Sequence, residues 1–236
     1  MGRYPLFFNT KNNNKIVKYN MNNYYIKIFV LFTIFFIVFS FSNVNAQLPL
    51  SGKLIIIDPG HGAQDPGTMY KSIYEKDINL KISLFLEQEL SKLGASVILT
   101  RDGDYDLSEP NANHRKKSDF DNRIRLINNS NADMYLSIHL NYLNDYNYKG
   151  PQVFYTNNNL LLAKELQKIM NRELKSDRKV KLIPKSTYMY NKLNIRGVLI
   201  ECGFLSNNYE RDLLVNEKYQ KKVAKSIAKG VNNYYN

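Results

Sequence analysis

The sequence has a single cysteine, Cys202, and no internal repeat. One cysteine cannot form an internal disulfide, and it cannot supply a cysteine-based zinc cluster. The lack of a fixed repeat period argues against a solenoid or a propeller. Wholesale disorder is not expected either, because 44% of the residues are apolar and 23% are charged. The length of 236 residues indicates one domain or two small ones.

Acidic residues are missing from the first 46 positions, which carry five basic ones. An apolar run interrupted only by Thr33 and Ser40 extends from Ile28 to Phe41, and Val44-Asn45-Ala46 follows it. A basic segment, an apolar run of about 7–15 residues and an A-x-A-like end are typical of a secretory signal peptide. A membrane span would need roughly 17–25 residues. The pattern therefore predicts an exported protein.

We predict a signal peptide over residues 1–46 with cleavage before Gln47, a short connector over 47–52 and one domain over 53–236. The domain has no internal linker rich in Pro, Gly or Ser. The alternative for the leader is an uncleaved N-terminal anchor, which would be the protein's one contact with a membrane. A start at Met21 would leave a leader of ordinary length, with residues 1–20 as an extension.

Basic residues outnumber acidic ones, and the formal net charge is +12. The excess persists without the leader, where 28 basic and 21 acidic residues remain. A basic exported protein is suited to an anionic envelope polymer such as peptidoglycan. Nucleic acid is the general alternative for a basic chain. Because the sequence has no Lys/Arg-dense arm and no RNA-binding signature, we expect no nucleic-acid partner.

Continuous apolar runs recur along the domain and predict strands that are covered on both faces. These runs lie at 53–58, 96–100, 134–139, 152–155 and 197–201. Segments with helical spacing alternate with them; Gly94 is the expected stop of the first helix and Ser118 the expected N-cap of the next. The alternation predicts an α/β domain with a mostly parallel central sheet and helices on both faces.

In such a sheet, ligands bind beyond the carboxyl ends of the strands; three polar side chains stand at such ends, and a fourth lies on the loop that leaves the first strand. His61 follows the first strand, His139 and Glu201 end two later strands, and Glu75 precedes the first long helix. Two imidazoles and one carboxylate form a typical open zinc site, and a second carboxylate can take a proton from water. Taken singly, each histidine is more often a surface or core group.

The two acids differ in how easily a structural role explains them. Glu75 alone is weak evidence, because an acid at a helix start also interacts with the helix dipole. Glu201 directly follows a buried strand, where an unpaired charge is costly. Cys202 should face away from Glu201 and is expected to be a buried hydrophobe. Arg101 and Arg123 are candidates for supporting the site or binding substrate carboxylates, with structural pairing as the alternative.

Five motifs follow one another in a specific order along the domain. They are Ile55–Gly62 (IIIDPGHG), Glu75-x-x-x-Asn79, Leu99-Thr100-Arg101, Asn131–Asn141 and Val198–Asn207. The set resembles the zinc-dependent N-acetylmuramoyl-L-alanine amidases, over about residues 53–235. The resemblance implies that His61, Glu75 and His139 bind zinc (Zn²⁺) and that Glu201 is catalytic. Ala63 and the run Lys71–Tyr74 depart from the family, which often has glycines there.

Two segments, Arg115–Asp119 and the Ser137–Asn141 part of the fourth motif, are most similar to the germination-specific amidases of spore formers. This resemblance implies hydrolysis of the amide between the lactyl group of N-acetylmuramic acid and L-alanine in spore-cortex peptidoglycan. That reaction is the first step towards muramic-δ-lactam, and it takes place in the cell envelope or the spore intermembrane space. An accessory activator protein is an expected partner. The alternatives are a zinc peptidase acting on the stem peptide and a non-catalytic glycan-binding protein.

Overall fold

The computed structural model describes residues 23–35 and 47–236. Residues 23–35 are helical (α1) and belong to a unit formed by Met1–Gln47, whereas Leu48–Asn236 form a second compact unit. No helix in the described ranges is both long and apolar enough to cross a membrane. The cleavage site at 44–46 and most of the leader lie outside the described residues. The signal peptide, its cleavage and the connector therefore stay predictions.

The second unit is built on two sheets. The strands are β1 (Leu54–Pro59), β2 (Met69–Tyr70), β3 (Ile73–Tyr74), β4 (Ser96–Leu99), β5 (Met134–Asn141), β6 (Gln152–Tyr155), β7 (Lys181–Leu182) and β8 (Gly197–Phe204). The main sheet has the order β4-β1-β5-β8-β6-β7, and β2 and β3 form a separate antiparallel hairpin. Neighbours in the main sheet are parallel except β6 and β8. The predicted mostly parallel sheet is confirmed.

Helices cover both faces of this sheet. They are α2 (Glu75–Lys92), α3 (Arg115–Asn129), α4 (Leu160–Leu174), α5 (Asn208–Leu214) and α6 (Glu217–Tyr235). Because side chains alternate along a strand, β1 buries Ile55 and Ile57 in the core that contains α2, α4 and α6. Ile56 points into a smaller core with α3 and the segment 183–195. Two covered faces explain the continuous hydrophobic runs of the inner strands. The same prediction is wrong for 96–100, because β4 is an edge strand whose Ile98 is 38% exposed.

Some local features differ from the expectations. The helix α3 begins at Arg115 with His114 as its N-cap, so Ser118 lies inside the helix. The Ser118 hydroxyl instead accepts a hydrogen bond from the Glu109 backbone N–H (2.9 Å), and it therefore serves the preceding loop. The short strands β2, β3 and β7 have too few residues for a detectable alternation. The expected stop at Gly94 is confirmed, since this glycine has a φ of 95° just after α2.

Candidate active site

The order of the central strands brings the predicted site residues together. The strand β5 lies between β1 and β8, and His139 of β5 is directly opposite Glu201 of β8. His61 lies two residues beyond the end of β1, and Glu75 is the first residue of α2. Nitrogen and oxygen atoms of His61, Glu75 and His139 all lie within 4.8 Å of one another. The spacing is suitable for three ligands of one metal ion.

Glu75 stands between the two imidazoles. Its Oε1 atom is 3.1 Å from Nε2 of His61 and 3.1 Å from Nδ1 of His139. The same carboxylate accepts hydrogen bonds from the backbone N–H groups of Thr68 (2.8 Å) and Leu140 (3.0 Å). Asn79, one helical turn along α2, adds a bond of 3.2 Å to Oε1. Burial alone would raise the pKa of Glu75, but the hydrogen bonds and charges of His139 and His61 hold it well below its usual value.

His61 is held on a tight loop with an unusual backbone. Its φ is 64°, in the left-handed region that few side chains adopt. The carboxylate of Asp65 lies 2.9 Å from Nδ1, which leaves Nε2 directed at Glu75. Burial lowers the pKa of His61, but hydrogen bonds to Asp65 and Glu75 outweigh that effect and raise it to about 9. A metal ion binding here must displace a proton from this ring.

Two glycines let the backbone approach the three side chains closely. A Cβ atom at Gly60 would overlap the imidazole ring of His139. A Cβ atom at Gly67, whose φ is 66°, would stand 2.6 Å from Oε2 of Glu75. Both positions therefore require glycine, for reasons of space at Gly60 and of space and backbone conformation at Gly67.

Glu201 differs from the three other residues in having an oxygen without a partner. Its Oε2 atom is buried and makes no hydrogen bond within the described residues. Burial, followed by the negative charge of Glu75, raises the pKa of Glu201 to about 8. A carboxyl group with a raised pKa inside a cleft is a typical acid–base candidate. Two imidazoles, one carboxylate and this unpartnered oxygen fit a zinc centre with an acid–base group beside it.

The two arginines named in the sequence are structural. Arg123 forms ion pairs with Asp58 (2.7 Å) and Asp119 (2.9 Å) and donates a hydrogen bond to the backbone oxygen of His61 (2.7 Å). Arg101 donates to the carbonyl oxygens of Pro59 (3.0 Å) and of Gly60 (2.9 Å) on the same loop. Both side chains are buried. They support the loop that carries His61, and the carboxylate-binding alternative is not favoured.

Sequence reasoning missed several residues that support the site. Asp58 and Ser137 lie inside recognisable motifs, but the motifs alone do not indicate what these two side chains contact. Asp65 had a weak signal, because it follows His61 by four residues. Tyr190 had none, since it lies in a short 3-10 helix outside the motifs.

Two adjoining cavities share His61, His139 and Glu201. One has a volume of about 240 Å³ and an apolar wall that includes Phe120, Met189 and Leu199. The other, of about 400 Å³, is lined by polar groups that include Thr68, Lys116 and Asn141. Because both cavities meet at the same three residues, they form a cleft that can take a substrate extending to both sides of the reacting bond.

Comparisons with known proteins identify the family of this chain. Residues 55–233 match the family model of N-acetylmuramoyl-L-alanine amidase. The germination-specific N-acetylmuramoyl-L-alanine amidase of Bacillus subtilis is 40% identical over 213 residues, which cover 86% of this chain and 90% of that relative. Among solved structures, the CwlD amidase from Clostridioides difficile in complex with the GerS lipoprotein has a TM-score of 0.74 and 39% identity, over 78% of this chain and 98% of that one.

A second solved structure gives the same result at lower similarity. It is an N-acetylmuramoyl-L-alanine amidase from Clostridium difficile 630, with a TM-score of 0.68 and 33% identity over 77% of this chain and 96% of that one. The resemblance predicted from the motifs is thus confirmed over nearly the whole second unit. This chain belongs to the N-acetylmuramoyl-L-alanine amidase family and is an enzyme that acts on peptidoglycan.

Proposed function

We propose that His61, Glu75 and His139 hold a zinc ion and that Glu201 moves the proton during hydrolysis of the amide between the muramic lactyl group and L-alanine. The family defines the bond, and the close approach of the three donor groups supports the ligand roles. When bound, zinc lowers the pKa of water and polarises a carbonyl group. The remaining roles, which are orienting the ligands and moving the proton, are assigned to groups of this chain.

The ligand residues are held in place by other parts of the chain. Asp65 holds Nδ1 of His61, so Nε2 faces the shared space, and the Thr68 backbone N–H fixes one oxygen of Glu75. Orientation of this kind increases metal affinity, because a side chain that is already in place loses little rotamer freedom on binding. The network therefore favours a permanent metal centre.

Glu201 is proposed as the acid–base group. Its unpartnered oxygen, beside the three ligands, is the observation that carries the proposal. The carboxylate would accept a proton from the attacking water and then deliver it to the nitrogen of the leaving L-alanine. A pKa close to the working pH suits a group that must both accept and release a proton.

The proposed substrate is spore-cortex peptidoglycan. The support is the germination-specific relative in Bacillus subtilis, together with a cleft that is open on both sides of the site residues. Removing the stem peptide would be the first step towards muramic-δ-lactam, and a different enzyme would have to close the lactam. We further propose that the protein is exported to the cell envelope or to the spore intermembrane space.

An accessory protein is proposed as a partner. The relative from Clostridioides difficile was solved in complex with a lipoprotein, and the two chains share 39% identity. We expect a lipoprotein of the same compartment to bind this chain. Stem-peptide release measured with and without that lipoprotein tests the expectation, which fails if release is unchanged.

Mass spectrometry of cortex muropeptides tests the reaction. After incubation with the zinc-loaded protein, we expect muramic residues with a free lactyl carboxylate and stem peptides that begin with L-alanine. Cleavage between two amino acids would indicate a zinc peptidase instead. Binding to the glycan without any new product would indicate a non-catalytic protein.

The metal content of three single variants tests the ligands. His61→Ala and His139→Ala should each lose most of the bound zinc, because each removes one of three protein ligands. The chain has three histidines in all, so His114→Ala, at the exposed start of α3, is the matched control and should keep its zinc. Full zinc occupancy in both site variants would overturn the proposed centre.

A further inference from the structure

Tyr190 lies directly behind His139, on the side of the ring away from Glu75. Its hydroxyl oxygen is 3.2 Å from Nε2 of His139 and 3.1 Å from Oγ of Ser137. Nδ1 of the same imidazole is the nitrogen that faces Glu75, at 3.1 Å. Tyr190 is only 7% exposed, so its hydroxyl depends on protein partners for its hydrogen bonds.

The hydrogen bonds run from His139 through Tyr190 and Ser137 to Asp58. Asp58 determines which atom of each pair is the donor. Asp58 is buried and paired with Arg123 at 2.7 Å, which keeps the carboxylate ionised. An ionised carboxylate only accepts hydrogen bonds, so Ser137 must donate its single proton to Oδ2 of Asp58 (2.8 Å). The Ser137 oxygen can then only accept from Tyr190. Tyr190 has one proton as well, so its oxygen must accept from His139.

We propose that Tyr190 is a positioning residue that keeps a proton on Nε2 of His139 and so makes Nδ1 the nitrogen that a bound metal uses. The inference rests on the proposed function, since it concerns how a proposed ligand is prepared. The two histidines would then be oriented differently. Asp65 contacts His61 directly, whereas Asp58 acts on His139 through Ser137 and Tyr190.

Zinc affinity of the full chain tests the proposal, measured by competition with a chelator of known affinity. Tyr190→Phe keeps the ring and removes the hydroxyl, and it should weaken zinc binding by roughly 10- to 100-fold, the usual cost of losing a group that orients a ligand. The matched control is Tyr188→Phe. The Tyr188 hydroxyl donates to Asp121 (2.6 Å) and takes no part in the chain to His139, so this variant should keep its zinc affinity.

Nitrogen-15 NMR of the zinc-loaded protein gives a readout that a merely structural role would not change. The Nε2 proton of His139 should appear as a hydrogen-bonded signal in the wild type and in Tyr188→Phe. In Tyr190→Phe that signal should be lost or should exchange rapidly with water. Ser137→Ala should weaken zinc binding in the same direction, because Tyr190 then loses the acceptor that orients its proton.

The outcomes distinguish a failure of the proposed Tyr190 role from a failure of the proposed metal site. Unchanged zinc affinity and an unchanged Nε2 signal in Tyr190→Phe would overturn the role of Tyr190, even if His61→Ala and His139→Ala lose their zinc. Normal zinc affinity with lost turnover would also overturn it, because the hydroxyl would then act on the substrate. If Tyr190→Phe does not fold by circular dichroism, Ser137→Ala decides, and normal zinc affinity in that variant contradicts the proposal.

Discussion

Asp58 and Glu201 are acidic side chains near the carboxyl ends of β1 and β8, the two strands on either side of β5, and their surroundings are opposite in kind. Asp58 accepts hydrogen bonds from Thr100 (2.7 Å), Ser137 (2.8 Å) and Arg123 (2.7 Å). Glu201 has a buried oxygen without a partner in the described part of the chain. One acid is paired with groups of the fold, and the other, which keeps an oxygen without a partner, is the proposed acid–base group.

The pKa values of the two groups move in opposite directions for a physical reason. Burial raises the pKa of both carboxyl groups. At Asp58 the positive charge of Arg123 and three hydrogen bonds overcome burial and hold the pKa below 3.8. At Glu201 the nearby charge is that of Glu75, which has the same sign and adds to the effect of burial. The sign of the neighbouring charge, and not burial itself, distinguishes Asp58 from the proposed acid–base group Glu201.

Replacing Glu201 by Gln should have the largest effect of the changes to these two acids, and the effect should be on turnover. Glutamine keeps the size of the side chain but cannot accept and return a proton, so turnover should fall by roughly 100- to 10,000-fold. Zinc content should not change, because the three proposed ligands are intact. Zinc per protein and stem-peptide release are measured on one preparation. Loss of metal would make Glu201 a ligand, and near-normal activity would place the acid–base group elsewhere.

Removing the positive charge beside Asp58 should affect stability instead. Arg123→Met leaves Asp58 and Asp119 buried without their cation, which should lower the free energy of unfolding by about 3–5 kcal/mol. Lys117→Met is the control, because it breaks an exposed ion pair with Asp121 and should have a far smaller effect. Urea unfolding measures both variants. Equal losses would show that the buried network has no special weight.

The pH dependence of stability tests the opposite pKa shifts of Glu201 and Asp58. It should give the smallest of the three effects. In the metal-free protein the pKa of Glu201 is raised from 4.5 to about 8, so its contribution to stability is full below 4.5 and is lost as the pH rises through 8. Asp58, with its lowered pKa, contributes fully throughout this range and loses its contribution only in stronger acid. Glu201→Gln should therefore gain stability relative to the wild type as the pH rises.

Urea unfolding in the presence of a chelator, at about pH 5 and about pH 8, measures this gain, which should reach about 1–3 kcal/mol at the higher pH. His61 also titrates in this range and its charge acts on Glu201, so the difference between the two proteins reports Glu201 together with that interaction. A stability difference that does not change with pH would contradict the raised pKa of Glu201.

Local sequence patterns are sufficient for much of the fold and for the proposed site residues. Continuous apolar runs predict strands wherever they occur, and in a parallel sheet the residues after those runs meet at one edge. That rule alone places His61, His139 and Glu201 together, and a motif at a helix start adds Glu75. The structure brings these residues together as expected, because each placement depends on a short segment and one general property of sheet architecture.

The orientation of the same side chains depends on contacts between distant parts of the chain. Tyr190 reaches His139 across 51 residues, and Arg123 reaches Asp58 across 65. The sequence by itself determined which groups stand at the ends of the strands, because hydrophobic periodicity is local. Only the tertiary structure decided which acid is neutralised and which histidine nitrogen faces Glu75. Those outcomes depend on how α3 and the segment 183–195 pack onto one face of the sheet, and no periodic pattern encodes that packing.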